Sequence, residues 1–322
     1  NKIKDIKKCN FFILCLPTPI HKNKKPDLTN LNDAIEIIST ILKRNDIIFL
    51  ESTVFPGITE QYKNYLEKKT NLNNNKDFFI GYSPERINPG DKKYTLKNIT
   101  KVVAIETKNK KALEKIYKIY NKISRKLIIS KDIRAAETAK VIENIQRDLN
   151  IALMNEILLI CKKLKINFKE VMRLAKSKWN FMNFMPGLVG GHCLPVDPYY
   201  LSTISKKNNL KTEVILAGRK INDRMLNYIT KELNYFLNKK NKTLKNSKIM
   251  IVGLTYKAGV ADMRNSLNFK IFKKIKKYNN KIYGCDPFVT KNIKTTYDIY
   301  DNVKKGTHYD VILFLSYHKI FK

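Results

Sequence analysis

Only 11 of the 322 residues are glycine, and no two of them are separated by a single residue. The Gly-x-Gly-x-x-Gly turn that usually joins the first strand and helix of a dinucleotide-type βαβ unit is therefore lacking, and the first glycine is Gly57. Position 1 is Asn, not Met. The expectation is a chain that begins inside an α/β domain, after a first βαβ unit of at least ~30 residues. No apolar run approaches the ~20 residues that span a bilayer. The early run Phe11 to Leu16 closes at Pro17 with no small-residue cleavage site behind it, so neither membrane insertion nor a signal peptide is expected. Five scattered cysteines (9, 15, 161, 193, 285) form no CxxC pair, and four histidines (21, 192, 308, 318) show no ligand spacing. That pattern excludes a zinc site and a disulfide framework, and it points to a reducing, cytoplasmic setting without a metal. Acidic residues are few, 28 against 63 basic, for a net charge of +35. Arginine is scarce beside lysine, and the lysines form no dense block. Base readout and bidentate phosphate contacts favour arginine, so no nucleic-acid partner is expected. A small anionic substrate or cofactor suits the positive field equally well.

What is present reads as α/β. "NFFILCLP" (10–17), "DIIFLEST" (46–53), "DFFIGYSPE" (77–85) and "ITKVVAIE" (99–106) read as strands, with helices over 27–44 and 58–69. Such alternation predicts a mostly parallel sheet covered on both faces, with ligands outside the carboxyl ends of its strands. The loops at Pro17–Pro19, Ser52–Thr53 and Ser83–Glu85 fall at such ends. From Arg134 to Leu164 apolar residues repeat every three or four positions, which predicts one long helix. Helices near 168–176 and 212–237 come next. "SKIMIVG" (247–253) restarts strand–helix alternation, with a helix near 266–277 and strands at 281–287 and 309–316. The expected architecture is two Rossmann-like α/β domains joined by a helical linker domain. "NKKNKTLKNSK" (238–248) reads as a polar linker.

"LVGGHCLPVDPYY" (188–200) is the most unusual stretch. Gly190 and Gly191 allow close backbone approach, Pro195 and Pro198 stiffen the chain after Cys193, and the thiol lies between the two pairs. A nucleophilic thiol needs an exposed position and a lowered pKa; the alternative is a buried cysteine in a tight loop. Asp197, four residues on, suits a base or a water-orienting group. Lys140 and Asn144 stand one turn apart on the long helix, with Glu137 and Asp148 extending the stripe. An ammonium and an amide make an anion-stabilising pair; the alternative is a solvated face. Glu85 ends a strand, where a carboxylate can serve as a general base. Thr18 and Thr53 end neighbouring strands; each also reads as an ordinary turn or cap residue.

"CLPTP", "ESTVFPG", "GYSPERINPGD", "AAETAKVIENIQRDLNIALMNE", "PGLVGGHCLPVDPYYL" and "GLTYKAGVADMRNS" occur in this order. Together they resemble the motif series of the UDP-glucose/GDP-mannose dehydrogenase family, over essentially the whole chain. "SPERINPGD" and "SKWNF" resemble the UDP-N-acetylhexosamine branch more than the UDP-glucose branch. The resemblance implies NAD-dependent, two-step oxidation of the C6 alcohol of a UDP-sugar to a uronate, for surface polysaccharide synthesis. It implies that Cys193 attacks the intermediate aldehyde to give a thiohemiacetal, then a thioester that water hydrolyses. Lys140 and Asn144 match residues that stabilise oxygen charge. Asp197 and Thr53 match positions that hold or activate water and the alcohol, and Glu85 matches a carboxylate of later base chemistry. Lys257 matches a substrate-binding lysine, Arg264 an arginine that reaches the cofactor, and Thr18 and Thr53 cofactor contacts. Phe184 to Gly190, with Gly187 inside it, matches the loop that wraps the substrate.

The resemblance further implies an NAD-binding domain over residues 1–130, a helical dimerisation domain over 131–240 and a UDP-sugar domain over 241–322, assembled as a homodimer. The family continues past "SYHKIFK", so the C-terminus is expected to be clipped. Pro89 stands where the UDP-glucose branch has a second glutamate, and Met185 where relatives often have a basic residue. Without the glycine turn the pyrophosphate site is missing. The alternatives are therefore a UDP-glucose 6-dehydrogenase, or a non-catalytic remnant that dimerises and binds UDP-sugar.

Overall fold

The computed structural model describes residues 3–88, 90–292, 297, 299–301 and 306–321. Pro89 lies outside the described residues. In chain order the elements are α1 (Ile3–Ile6), β1 (Phe11–Leu14), α2 (Thr29–Ser39), β2 (Asp46–Leu50), α3 (Ile58–Thr70), β3 (Phe78–Tyr82), β4 (Thr100–Ile105), α4 (Lys110–Ile123) and β5 (Lys126–Ser130). After these come α5 (Ile133–Lys163), α6 (Phe168–Ala175), α7 (Asp197–Lys207), α8 (Glu213–Asn238), β6 (Ile249–Val252), α9 (Leu267–Lys276), β7 (Ile282–Cys285), α10 (Pro287–Asn292), β8 (Ile299–Tyr300) and β9 (Val311–Phe314). The chain divides into two compact units, Asn1–Ile145 with Val196–Thr212, and Gln146–Pro195 with Glu213–Lys322.

The first unit holds a five-stranded sheet of order β1-β2-β3-β4-β5. β1, β2 and β3 pair in parallel, and β4 pairs in parallel with β5. β3 and β4 run antiparallel, through Gly81 opposite Ile105. Among the described residues no helix lies between these two strands, and a parallel pair would need a crossover. Every residue of β2 and β3 is buried, as uninterrupted apolar strands covered on both faces must be. Helix α4 lays Ala112, Ile116 and Tyr120 on Ile47, Phe49 and Val103. Its start is capped by Asn109, whose side chain accepts from the Ala112 N–H. Deeper in this unit Lys101 pairs with Glu51 at 2.6 Å, and the Tyr120 hydroxyl donates to the same carboxylate.

The second unit holds a four-stranded, all-parallel sheet of order β8-β7-β6-β9. Ile271, Phe272 and Ile275 of α9 pack with Ile249 and Ile251 of β6 and Ile282 of β7. Ser266 caps α9 by accepting from Phe269 N.

The long helix is as predicted in extent, but its buried face is not the apolar stripe alone. Ile142 is 48% exposed and Leu153 50%, whereas Glu137, Lys140, Asp148 and Asn155 are all at 6% or below. The solvated reading of the stripe is therefore corrected: Glu137, Lys140 and Asp148 are buried and Asn144 is half-buried, and Asn155, outside the stripe, is buried with them. Burial of such groups is tolerated only with matched partners. Glu137 shows how: its carboxylate accepts from Gly57 N at 2.6 Å and from Thr59 N and Oγ1 at 2.9 and 2.6 Å. It thereby satisfies the orphan N–H groups at the start of α3, which its own glycine N-cap leaves bare.

Candidate active site

In the first unit, the loops after β1 and β2 are stitched together. Ser52 Oγ accepts from Leu16 N at 2.8 Å and donates to Leu16 O at 2.7 Å. The Thr18 hydroxyl donates to Thr53 O at 2.8 Å. Tyr200 of α7 donates its phenolic proton to Thr18 O at 2.7 Å, so α7 braces the same loop. The donors and acceptors gathered here are hydroxyls and backbone carbonyls, half-buried at the carboxyl ends of parallel strands. Thr18, by its hydroxyl, and Thr53, by its backbone oxygen, belong to this neutral polar set.

A second cluster in this unit joins Lys140, Asn144 and Asp197. Asp197 opens α7 and is 2% exposed. The Asn144 side-chain amide donates to its Oδ2 at 2.6 Å. Burial pushes the Asp197 carboxyl up to about 6, although the Lys140 ammonium and the Asn144 hydrogen bond both pull it down. A carboxyl poised there exchanges a proton near neutral pH. Lys140 is itself buried, at 6% exposure. Tyr82, at the end of β3, has a buried hydroxyl without a hydrogen-bond partner among the described residues. Burial raises its pKa, and the charges of Glu137 and Asp197 raise it further. Sequence reasoning passed over Tyr82, because a tyrosine in an apolar strand looks like core. Glu85 is exposed on the loop after β3, its carboxylate accepting from Ile87 N.

In the second unit, Cys193 is exposed. The buried-cysteine alternative is thereby excluded. The backbone leading to it is pressed against the residues before α9. A Cβ at Gly190 would stand 2.9 Å from Asn265 O, and one at Gly191, where φ is +92°, would stand 2.9 Å from the Tyr256 ring. Gly191 N donates to Asn265 O. Only glycine permits this approach. His192 lies 3.5 Å from Asp262. Burial pushes the His192 imidazole down, the Arg264 charge adds to this, and the Asp262 carboxylate opposes both. Asp262 accepts from the Arg264 backbone N–H and guanidinium. Burial pushes that carboxyl up, but the Arg264 bonds outweigh it and hold it below its ordinary value. Arg264 thus stands beside the cysteine loop. Thr255 donates to Lys257 O at 3.0 Å, which fixes the backbone of the lysine. Phe184 is half-buried, and Gly187 is exposed, with both backbone polar groups bonded to Asn155. Sequence reasoning did not single out Tyr256, Asp262 or Asn155. The run "TYKAGVADMRN" held the first two, but no spacing rule ties it to Cys193.

Among the described residues no group of His, Cys, Asp or Glu side chains could hold a metal ion, and no helix is long and apolar enough to cross a membrane.

Comparison with known proteins matches the UDP-glucose/GDP-mannose dehydrogenase family over three segments. The NAD binding domain matches residues 1–124, the central domain residues 134–224 and the UDP binding domain residues 250–322. A UDP-N-acetyl-D-glucosamine 6-dehydrogenase of Salmonella typhi is 44% identical over 100% of this chain and 76% of its own length. One from Pseudomonas aeruginosa is 43% identical over 89% of this chain and 68% of its own. Among solved structures, a UDP-D-ManNAc dehydrogenase from Pyrococcus horikoshii superimposes with a TM-score of 0.87 at 31% identity, over 100% of this chain and 74% of that one.

Proposed function

The chain belongs to the UDP-glucose/GDP-mannose dehydrogenase family, NAD-dependent nucleotide-sugar dehydrogenases, and from that premise we propose that it oxidises the C6 hydroxyl of a UDP-N-acetylhexosamine to the uronate. The observation that carries this reading is the exposed Cys193 on a double-glycine loop seated against Tyr256 and Asn265. The 44% and 43% identical relatives, both named for UDP-N-acetyl-D-glucosamine, support the choice of sugar class.

Thr18 and Thr53, on the loops after β1 and β2, would hold the NAD⁺ that would supply the hydride acceptor, a fresh NAD⁺ being needed for each oxidation. In the first, the alcohol loses its proton and C6 its hydride, giving an aldehyde. The Cys193 thiolate then adds to the carbonyl carbon. The resulting thiohemiacetal carries a C–H bond whose hydride departs in the second oxidation, leaving a thioester. Water displaces the thiolate, and the carboxylate product leaves. Lys140 and Asn144 supply the positive charge and N–H that stabilise the oxyanion of each tetrahedral stage, each donor being worth about 10²–10³ in rate. The Asp197 carboxylate receives protons, a role suited to a carboxyl held at about 6. Glu85 serves as the base for the hydrolytic water, and Thr53 positions the alcohol. Thr18, Thr53 and Arg264 contact the cofactor; Phe184, Gly187, Gly190, Lys140, Asn144, Glu85 and Lys257 contact the sugar nucleotide. The division of labour places cofactor binding in residues 1–130, the helical dimerisation part in 131–240 and UDP-sugar binding in 241–322. A homodimer through α5 is supported by Ile142, Leu153 and Ile160, all at least 48% exposed at helical spacing. The product feeds surface polysaccharide synthesis in the cytoplasm.

The test is Cys193→Ala, assayed for NADH formation with the UDP derivatives of GlcNAc, GalNAc and ManNAc, and for UDP-sugar binding by calorimetry. The wild type reduces two NAD⁺ per uronate with one of these sugars. The variant binds that sugar and makes no uronate. Full turnover by the variant overturns the mechanism, and failure of the wild type to bind NAD⁺ at micromolar concentration favours the non-catalytic reading.

A further inference from the structure

The segment between α6 and α7, residues 176–196, contains no helix or strand. It carries Phe184 to Gly190 and Cys193, yet most of its side chains before Leu188 are exposed or half-buried. Something other than its own packing has to hold it, and its backbone polar groups have to find partners.

One partner is Asn155 of α5, which is 0% exposed. Its Nδ2 donates to Gly187 O at 3.0 Å, and its Oδ1 accepts from Gly187 N at 2.9 Å. A single carboxamide thus pairs with both polar groups of one residue, as a neighbouring strand would. The second Nδ2 contact goes to Asn222 Oδ1 at 2.8 Å. Asn222 of α8, also 0% exposed, donates to Asp148 O at 3.0 Å and to Asp148 Oδ1 at 2.8 Å. Arg219, 2% exposed, donates to Asp148 Oδ1 at 2.6 Å.

The order of these groups determines the direction of every bond. Asp148 presents its backbone carbonyl oxygen, and an Oδ1 that already accepts from Arg219, and both of these only accept. Asn222 must therefore turn its NH₂ toward Asp148 and its oxygen toward Asn155. Asn155 must answer with its NH₂, which leaves its oxygen facing the Gly187 N–H. A buried carboxylate thereby sets the polarity of two amides and of the peptide they hold. Gly191, bonded to Asn265 O, is the second anchor. The two anchors bracket Leu188 to Gly190, immediately before Cys193.

We propose that Asn155 is a positioning residue for this segment: with Asn222 and Asp148 it clamps the Gly187 peptide and holds the sugar-nucleotide loop and Cys193 in register. The inference rests on the proposed role of Cys193 and the Phe184–Gly190 loop. The test compares wild type with Asn155→Ala, Asn155→Asp and Asn222→Ala, each confirmed as folded by its thermal transition. Asn155→Asp keeps the shape but puts a carboxylate against Gly187 O. The first readout is tryptic cleavage of the native protein at the exposed Lys176 and Lys178, which needs no catalysis. The second is the UDP-N-acetylhexosamine concentration that half-protects Cys193 from iodoacetamide. The third is KM for that sugar against KM for NAD.

Asn155→Ala loses both Gly187 bonds, and Asn155→Asp loses the one to Gly187 O and sets a carboxylate against it, so a rise of roughly 10–100-fold in half-protecting concentration and in sugar KM is expected for both variants. KM for NAD stays within about twofold, and cleavage at Lys176 and Lys178 accelerates. Asn222→Ala, which leaves the Gly187 bonds but frees the amide to turn, gives a smaller effect of the same kind. Unchanged cleavage and unchanged protection in Asn155→Asp overturn the proposal. So does an equal rise in both KM values, which signals general damage. Should Cys193→Ala retain turnover, the proposed mechanism fails, while the cleavage arm still decides whether Asn155 holds the loop.

Discussion

Asp197→Asn isolates the energetic consequence of burying one carboxyl at the head of α7. In the folded chain the group is 2% exposed and accepts the Asn144 amide, with the Lys140 charge beside it. Burial wins over both, moving the carboxyl from an ordinary 3.8 to about 6. The native state therefore holds this proton more tightly than the unfolded chain does. Between those two pH values the native state binds more protons, so stability falls as pH rises. The loss reaches roughly 3 kcal/mol once the pH exceeds the folded value, and it is constant above that. About 2 kcal/mol of it falls between about pH 4.5 and about pH 7.5. Asparagine has nearly the same shape and does not titrate. It also removes the counter-charge from the buried Lys140, but that offset is the same across this window, so the slope and not the intercept carries the test. Urea unfolding of wild type and Asp197→Asn over that range, followed by a probe in the first unit, is expected to show their stability difference shifting by about 2 kcal/mol in favour of the variant. Stabilities that run parallel over the whole window would refute the reasoning. A substitution at exposed Glu60, which is not among the groups that shift Asp197, serves as a control.

Glu137→Ala strips acceptors from Gly57 N, Thr59 N and Thr59 Oγ1 in a buried setting; a loss of about 2–4 kcal/mol is expected by urea denaturation, with Glu137→Gln losing less than half of that. Gly253→Ala places a Cβ 2.1 Å from the backbone oxygen of Ser316 at a φ of +81°. Backbone on both sides cannot yield, so a loss of roughly 2–5 kcal/mol is expected, read as earlier melting of the second unit. A change under about 1 kcal/mol in either case contradicts the packing described.

Much of the fold was legible because it is encoded locally. Strands such as Ile47–Leu50 and Ile249–Val252 are unbroken apolar runs, and every residue of both is buried. Helices α3, α8 and α9 begin and end within a few residues of where periodicity put them. Helix α4 was passed over although Ala112, Ile116 and Tyr120 recur at helical spacing, because the lysines between them mask the stripe. Helix α7 was hidden by the two prolines around Asp197, of which Pro198 sits in the first turn, where proline fits. The loops themselves were legible: Thr18 and Thr53 follow strand ends, and Cys193 follows a double glycine, as read from the sequence.

The chain by itself thus settled the alternation of strands and helices, the double-glycine approach to Cys193 and the family likeness, since each depends on residues adjacent in sequence; that Cys193 is exposed came from the structure. Tertiary structure alone decided which face of α5 is inside, the antiparallel turn of β3 against β4, the raised carboxyl of Asp197 and the amide relay from Asp148 to Gly187. The reason is that a buried polar group is tolerated or expelled according to its partners, and those partners are remote: Glu137 meets residues 78 and 80 positions away, and Asn144 meets one 53 away. No local spacing carries that information, because it exists only once the chain has closed on itself.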